Sequence, residues 1–154
     1  MIDYLAMLTA LNFPEYPFTI RRVGNKFKIF DQLRKKFVIL TEEEWVRQHM
    51  ISYLIRERNI TPGLIRVESG MKYEKLRKRT DILVYGRDGF PGLVIECKAP
   101  KIKLAGNVVF QAGIYARSLK VPYMGITNGL QHFFWHIDHV HGKTEILTEF
   151  PSPL

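Results

Sequence analysis

Residues 1–17 show little pattern, residues 18–40 alternate between short apolar and polar stretches, and a helical period follows from residue 41. The alternation is typical of strands and predicts a β-hairpin or small sheet over residues 18–23, 26–31 and 36–40. Thr41 then begins a helix, because its side chain can cap the N–H of Glu44 while Glu44 reaches back, as in a capping box. Apolar residues at helical spacing run from Val46 to Leu54, and Thr61-Pro62-Gly63 is expected to end the helix.

Strands predominate again after residue 63, with one further helix among them. The patterns predict a helix over 107–119 and strands over 64–69, 82–85, 93–95, 122–127, 130–137 and 143–150. A strand, a helix and a strand in succession favour a parallel pair, and Asn128-Gly129 is a strong turn signal. The predicted fold class is mixed α/β: a central mixed sheet flanked by helices, with an extra N-terminal β-hairpin and C-terminal strands.

The strands over 82–85 and 93–95 are predicted to form a hairpin that gathers charged side chains at its open end. A tight turn at Asp88-Gly89 would place Tyr85 opposite Gly92. The same register carried to the other end puts Asp81 opposite Glu96, and opposed residues share one face of a sheet. Four apolar side chains then point to the other face, towards a core: Ile82, Val84, Ile95 and Cys97.

Asp81 and Glu96 would be opposed like charges, which repel each other unless a cation lies between them. Paired carboxylate oxygens are what a hard divalent ion such as Mg²⁺ or Mn²⁺ prefers, and Lys98 would flank that ion. In the first turn of the helix, either Glu43 or Glu44 could reach the same metal, although capping alone also explains these residues. The competing interpretation is a polar strand end with solvated charges and a Lys98–Asp81 salt bridge.

The composition indicates a globular chain with a basic surface. Of the 154 residues, 46% are hydrophobic, and the net charge of +8 favours a polyanionic partner, nucleic acid first. We predict one domain, in which residues 1–40 form a β extension packed on a core of residues 41–154. No apolar run approaches the ~20 residues of a membrane helix, and Cys97 is the single cysteine, which is consistent with the cytoplasm.

Basic side chains are concentrated near the paired acids and on the N-terminal strands. Those near the acids are expected to contact DNA phosphates, with a solvated loop as the alternative: Lys75, Arg77, Lys78, Arg79, Lys101 and Lys103. Those on the N-terminal strands could contact phosphates, but a solvated sheet edge is the favoured interpretation. A zinc site is conceivable but does not fit the spacing of the C-terminal histidines, which are better read as surface residues: His132, His136, His139 and His141.

The acids and the lysine follow a recognisable spacing. Asp81, fourteen intervening residues, Glu96, one residue and Lys98 resemble the PD-(D/E)XK nuclease pattern, with Thr80 in place of the frequent proline. The order helix, three strands, helix, strand resembles the αβββαβ core of that superfamily. The segments TEEEWVRQ, RTDILVY, VIECKAP, QAGIY and ITNG resemble the N-terminal nuclease domain of type I restriction-enzyme R subunits and its small stand-alone relatives, over residues 30–136.

The resemblance implies a restriction-endonuclease-like fold and metal-dependent hydrolysis of DNA, as an endonuclease or an exonuclease, with Mg²⁺ or Mn²⁺ as cofactor. Asp81, Glu96 and the backbone carbonyl of Cys97 would bind the metal, and Lys98 would be catalytic. The first-helix acid would be Glu43 or Glu44, and Gln111 and Tyr115 would orient the site and the DNA.

The absence of a G-x-x-x-x-G-K-[ST] segment excludes ATP-driven translocation by this polypeptide alone. We therefore expect either a homodimer or a separate motor or specificity subunit as a protein partner, together with DNA. Two alternatives to the nuclease remain open at this point. One is a non-catalytic DNA-binding subunit or adaptor that retains the nuclease fold, and the other is a structural domain with a degenerate site.

Overall fold

The computed structural model describes residues 8–67, 81–152 and 154. Their strands belong to two separate sheets, and the helices are α1 (Glu42–Arg56) and α2 (Gly106–Leu119). The strands in chain order are β1 (Ile20–Val23), β2 (Lys26–Asp31), β3 (Lys36–Ile39), β4 (Ile65–Val67), β5 (Ile82–Tyr85), β6 (Pro91–Cys97), β7 (Tyr123–Thr127), β8 (His132–Asp138) and β9 (Lys143–Leu147).

The first sheet is antiparallel with the order β1-β2-β3, so of the two predicted arrangements the small sheet is formed rather than a two-stranded hairpin. The third strand is added because Asp31 folds the chain back: its Oδ1 accepts the N–H groups of Leu33 and Arg34, each at 2.8 Å. Ile29 and Asp31 are fully buried on one face of β2, where Gln48 of α1 donates to Asp31 at 2.9 Å. This sheet therefore packs on α1.

Helix α1 begins as predicted and ends earlier than predicted. Thr41 Oγ1 accepts the Glu44 N–H at 3.0 Å, which confirms the cap. The predicted stop at Thr61-Pro62-Gly63 is wrong, because α1 ends at Arg56 and residues Pro62–Leu64 form a 3₁₀ turn. Asn59 adopts a left-handed conformation with φ of 55° just after the helix, which redirects the chain before the predicted breakers.

The second sheet has six strands in the order β4-β5-β6-β7-β8-β9. As predicted, β6 and β7 are parallel across the α2 connection, whereas the other neighbours are antiparallel. Helix α1 packs on one face, against Ile82 and Ile95, and α2 on the other, against Leu83 and Val94. Both faces of the central strands are thus buried, and the predicted order of helix, three strands, helix, strand and two C-terminal strands is confirmed.

The β5–β6 register is the expected one at the functional end and differs at the turn. Ile82 pairs with Ile95 and Val84 with Leu93, but Tyr85 pairs with Pro91 because the register shifts after Val84. The predicted Tyr85–Gly92 pair is therefore wrong. The shift lies at the turn end of the hairpin. The pairs nearer Asp81 and Glu96 therefore keep the predicted register.

A hydrogen bond joins the two loops that lie beside the charged end of the β5–β6 hairpin. Asn128 and Gly129 form the predicted turn, with Gly129 at φ of 85° and Asn128 Oδ1 accepting the N–H of Gln131 at 2.8 Å. The Asn128 side chain also donates to the Ile102 carbonyl at 2.9 Å. This bond holds the loop between β6 and α2 against the loop between β7 and β8.

Candidate active site

Asp81 lies where β5 and β6 stop pairing. Asp81 directly precedes Ile82, which forms the last β5–β6 pair with Ile95, and its Oδ2 accepts the N–H of Cys97 at 2.8 Å. On the opposite edge of β6, the N–H of Lys98 donates to the Thr127 carbonyl at 2.8 Å. Since the N–H and C=O of one strand residue point to the same side, the Cys97 carbonyl is directed to the Asp81 side.

Glu96 is the most strongly perturbed carboxyl of this end of the sheet. Burial, followed by the charge of nearby Asp81, raises the pKa of Glu96 to about 8, and the Lys98 ammonium opposes the rise. Lys98 Nζ lies 3.4 Å from Glu96 Oε1. The described ion pairs thus join Lys98 to Glu96 rather than to Asp81, so the salt bridge of the competing interpretation is not the one formed.

The partner of Asp81 is Arg47 of α1. Arg47 Nη2 lies 2.7 Å from Asp81 Oδ1, and Arg47 Nη1 lies 2.6 Å from Glu44 Oε2. Burial disfavours the charge of Arg47, but the charge of Asp81 and then that of Glu44 outweigh burial and hold the pKa of Arg47 above its ordinary value. One planar guanidinium therefore spans two carboxylates from different elements.

The two glutamates of the first helical turn occupy different environments. The Glu44 side chain is 6% exposed and is held between Arg47 and Arg34, each at 2.6 Å. The Glu43 side chain is 44% exposed, and its Oε1 lies 3.2 Å from Arg47 Nη2. Burial and the charge of Asp81 raise the pKa of Glu43, and the Lys98 charge lowers it. Glu43 is thus the glutamate that is open to the space beside Asp81 and Lys98.

The charged network continues from Glu44 into the N-terminal sheet. Arg34 Nε lies 2.8 Å from Asp31 Oδ2, and Arg34 Nη2 bonds to Glu44. Despite burial, the hydrogen bonds from Arg34 and Gln48 lower the pKa of Asp31. Carboxylates and guanidiniums therefore alternate from β2 through α1 to the end of β5, in the order Asp31, Arg34, Glu44, Arg47, Asp81.

The sequence interpretation did not include Arg34 and Arg47 in the site. A signal existed for Arg47, since it lies three residues after Glu44 and four after Glu43, at the spacing where helical side chains meet. It also lies between Val46 and Gln48 in the most buried stretch of α1. Arg34 offered no comparable signal, because its partners come from a β-turn and from a helix that only the tertiary fold brings together.

The remaining predicted site residues are spread around this centre. Tyr115 is 4% exposed in the core beneath α2, and Gln111 is half-buried one turn earlier. Lys101 is exposed and lies 3.6 Å from Glu42, and Lys103 is exposed in the same loop. The predicted phosphate contacts Lys75, Arg77, Lys78 and Arg79 lie outside the described residues.

Two other kinds of site find no support in the described part of the chain. The histidines have separate partners: His132 contacts Thr127 at 2.7 Å and His141 contacts Asp138 at 2.7 Å. Within residues 8–67 and 81–152, no group of three His, Cys, Asp or Glu is placed to hold a metal ion on its own. None of the helices described is both long and apolar enough to cross a membrane.

Known proteins similar to this chain are subunits of restriction enzymes. It is 34% identical over 103 residues to the type I restriction enzyme EcoAI endonuclease subunit of Escherichia coli, an alignment that covers 64% of this chain and 12% of the subunit. A solved fragment from Vibrio vulnificus YJ016, assigned to an HsdR subunit of a type I restriction enzyme, is 33% identical with a TM-score of 0.36. It covers 48% of this chain and 14% of that one.

The chain thus spans about an eighth of the length of these relatives. The family model described as the type I restriction enzyme R protein N terminus (HSDR_N) matches residues 42–151. That range includes α1, the whole six-stranded sheet and all of the candidate catalytic residues. Because the match extends over most of the chain, the protein belongs to the family of type I restriction enzyme R protein N-terminal domains.

Proposed function

We propose that this chain is a divalent-metal-dependent deoxyribonuclease domain that hydrolyses phosphodiester bonds in DNA, as an endonuclease or an exonuclease. The observation that carries the proposal is the proximity of Asp81 and Glu96, which share a side-chain hydrogen bond at the open end of the β5–β6 hairpin, with the Lys98 ammonium 3.4 Å from Glu96. A structural strand end does not require two buried carboxylates at one point, since burying uncompensated charge lowers stability. Membership of an endonuclease-subunit family supports the same reaction class.

The donor set fits Mg²⁺ or Mn²⁺. The charge of Asp81 raises the pKa of Glu96, so a cation between the two carboxylates would relieve a repulsion that the fold otherwise leaves in place. Mg²⁺ is commonly held by only one or two carboxylates, with substrate phosphate and water completing its shell. Asp81, Glu96 and the Cys97 carbonyl would hold the ion, which when bound supplies a Lewis acid for water and phosphate.

The protein groups divide the remaining work. In the reaction, a water oxygen bonds to phosphorus, the bond to one sugar oxygen breaks, and that oxygen takes up a proton. Lys98 would donate hydrogen bonds to the phosphate oxygens, where negative charge develops. Glu43, the more exposed acid of α1, would accept a hydrogen bond from the water, whereas buried Glu44 would orient Arg47. Half-buried Gln111 would help to orient the DNA from α2, whereas Tyr115, buried in the core, would act only by positioning α2.

The decisive test replaces Lys98 with alanine. We expect Lys98→Ala to reduce Mg²⁺-dependent DNA cleavage by about 10²–10³-fold, the usual loss for one electrostatic donor. Its metal affinity, followed by thermal shift with Mn²⁺, should remain close to that of wild type, whereas Asp81→Asn should lose metal affinity as well. Lys143→Ala, which changes an exposed lysine at the start of β9, is the matched control and should cleave like wild type.

The assay should include linear, circular, single-stranded and branched DNA. If Lys98→Ala cleaves DNA as fast as wild type, the proposed site is not responsible for the cleavage.

A second function, a DNA-binding adaptor without catalysis, is favoured by one observation: both Asp81 oxygens already have protein partners, Arg47 and the Cys97 N–H. Wild-type protein that binds DNA but cleaves none of these substrates in Mg²⁺ or Mn²⁺ would replace the nuclease with the adaptor.

The length of the relatives bears on the partners of this chain. We propose that it acts together with further subunits that supply DNA translocation or sequence specificity, because this chain matches only about an eighth of an endonuclease subunit. A homodimer is the alternative assembly. Light scattering of the purified chain, alone and with DNA, distinguishes a monomer that depends on partner subunits from a self-sufficient dimer.

A further inference from the structure

An open groove of about 470 Å³ follows β3, the edge strand of the N-terminal sheet, to the first turn of α1. All four residues of β3 line it, together with residues of β2, the β2–β3 turn and α1. We call it the β3 groove. Its charged lining residues are Lys28, Arg34, Lys36, Glu43, Glu44 and Arg47.

The β3 groove leads to the candidate active site. Glu43 forms part of its wall, and the charge of Asp81 reaches Glu43 strongly enough to raise its pKa. Arg47, also in the wall, lies 2.7 Å from Asp81. A chain molecule lying in the groove would therefore approach the paired acids at the α1 end without crossing the protein core.

Two of the four cations of the groove are already neutralised by the protein. Arg34 and Arg47 are engaged by buried carboxylates at 2.6–2.8 Å. Lys28 and Lys36 differ, since no described carboxylate lies within ion-pair distance of either ammonium. Asp31, the register partner of Lys36, has its oxygens occupied by Arg34, Gln48 and turn N–H groups. Both lysines line the groove, Lys36 from the face of the sheet that carries Asp31 and Lys28 from the opposite face.

We propose that the β3 groove is a subsite for one sugar-phosphate strand of DNA, in which Lys28 and Lys36 contact phosphates on one side of the bond to be cleaved. The inference rests on the proposed function, because a DNA strand in the groove would be cleaved only if the acids at its end form an active site. A polyanionic strand matches this charge pattern: lysines attract its phosphates along β3, while the acids accept only the phosphate that a cation accompanies. The N-terminal sheet is thereby a substrate-binding element.

The first test measures DNA binding without cleavage, in EDTA, with fluorescein-labelled oligonucleotides at several KCl concentrations. Lys28→Gln/Lys36→Gln removes two charges and keeps the side-chain stems, and Lys26→Gln/Lys143→Gln is the matched control at exposed positions outside the groove. Two lost phosphate contacts on duplex DNA should reduce the slope of log K against log salt by about 1.8 and weaken binding about 60-fold at 0.1 M salt. The control should keep the wild-type slope.

Equal slopes for the two double variants, or no binding of DNA by wild type, would overturn the subsite. The single variant Lys36→Gln, at an exposed position, should reduce the slope by about 0.9 on duplex DNA and replaces the double variant if that protein unfolds. A labelled RNA duplex in parallel shows whether the groove selects DNA or accepts any phosphodiester strand; binding of RNA alone would also contradict the inference.

A second measurement separates this inference from the proposed function. Bis(p-nitrophenyl) phosphate is a diester too short to fill both the acid site and the groove. The Lys28→Gln/Lys36→Gln variant should hydrolyse it at the wild-type rate with Mn²⁺ while showing a raised KM for DNA. Wild-type cleavage of DNA with an unchanged KM in the variant would refute the groove and leave the nuclease intact. Absence of wild-type cleavage of either substrate would refute the nuclease, and the binding slopes would then decide the groove alone.

Discussion

Replacing Arg47 with methionine should destabilise the fold strongly, because Arg47 compensates two buried acids at once. Its side chain is 6% exposed, and it lies 2.6 Å from Glu44 and 2.7 Å from Asp81. Methionine has a similar length and packs in irregular apolar space, so the substitution removes charge and hydrogen bonds more than volume. Glu44 and Asp81 would remain where they are, without their shared cation.

The structure sets the size of the effect. Removing one partner of a buried ion pair typically costs about 3–5 kcal/mol. Glu44 keeps Arg34 at 2.6 Å, and Asp81 keeps the Cys97 N–H at 2.8 Å. These remaining partners reduce the penalty, so we expect a loss of about 3 kcal/mol in the free energy of unfolding. Arg47→Lys should recover only part of the loss, because one ammonium lacks the planar fork that reaches both acids.

Urea unfolding at pH 7 measures the loss as a shift in midpoint at constant m. Arg56→Met, at the exposed end of the same helix, is the control and should change stability by less than about 0.5 kcal/mol. Adding Asp81→Asn to Arg47→Met should cost less than the sum of the single changes, since one of the stranded charges is then absent. The reasoning is refuted if Arg47→Met costs no more than Arg56→Met, or if the two substitutions are additive.

Substituting the two glutamates of the first helical turn should have different effects on stability and on cleavage rate. Glu44→Gln should lower the urea midpoint, because it weakens two short ion pairs, whereas the half-exposed Glu43→Gln should retain stability and lose cleavage rate; the reverse result would reassign the first-helix acid. Asp31 has a folded-state pKa below its ordinary value, so it contributes stability above the unfolded pKa, near 4, that is lost as pH falls through the folded value. The urea midpoints of wild type and Asp31→Asn should therefore differ most near neutral pH and converge below pH 4, and a constant difference would contradict this.

Much of the fold could be predicted from sequence because its signals are local. Strand β2 has its predicted bounds, and α2 begins one residue earlier than expected. The errors occurred where the sequence carries no distinctive signal for the backbone conformation. The end of α1 is set by left-handed Asn59 rather than by the breakers at 61–63. The Tyr85–Pro91 pair results from an irregularity in the ladder that the turn sequence does not reveal.

The candidate site, like the fold, could be predicted from the sequence only in part. The proximity of Asp81 and Glu96 could be predicted by extending the hairpin register, because a side-chain period of two indicates which residues share a face. The choice between Glu43 and Glu44 could not follow from capping signals, since both lie in the first turn of α1. The choice depends on Arg34, which lies in the turn after β2 of the other sheet and forms an ion pair with Glu44. Long-range ion pairs of this kind leave no period in the sequence.

The candidate site contains more carboxylates than cations. This excess of negative charge distinguishes a proposed metal site from a purely structural ion-pair network. Its carboxylates are Asp31, Glu43, Glu44, Asp81 and Glu96, and its cations are Arg34, Arg47 and Lys98. With every group ionised, five negative and three positive charges leave a net charge of −2. The excess does not fall on the network through α1, where the pKa of Asp31 is lowered, but on Glu43 and Glu96, whose pKa values are raised.

Glu43 lies 3.2 Å from Arg47 and Glu96 lies 3.4 Å from Lys98. These cations do not offset burial and the neighbouring Asp81 charge, so the pKa values of both acids stay raised. One divalent cation at Asp81 and Glu96 would bring the net charge to zero. The arginines hold Asp31, Glu44 and Asp81 in place. Under the proposed function, the negative charge of Glu43 and Glu96 would instead be balanced by a metal ion that arrives with the substrate. Arg47 and the Cys97 N–H would then fix the position of Asp81, and the ion would lie between Asp81 and Glu96.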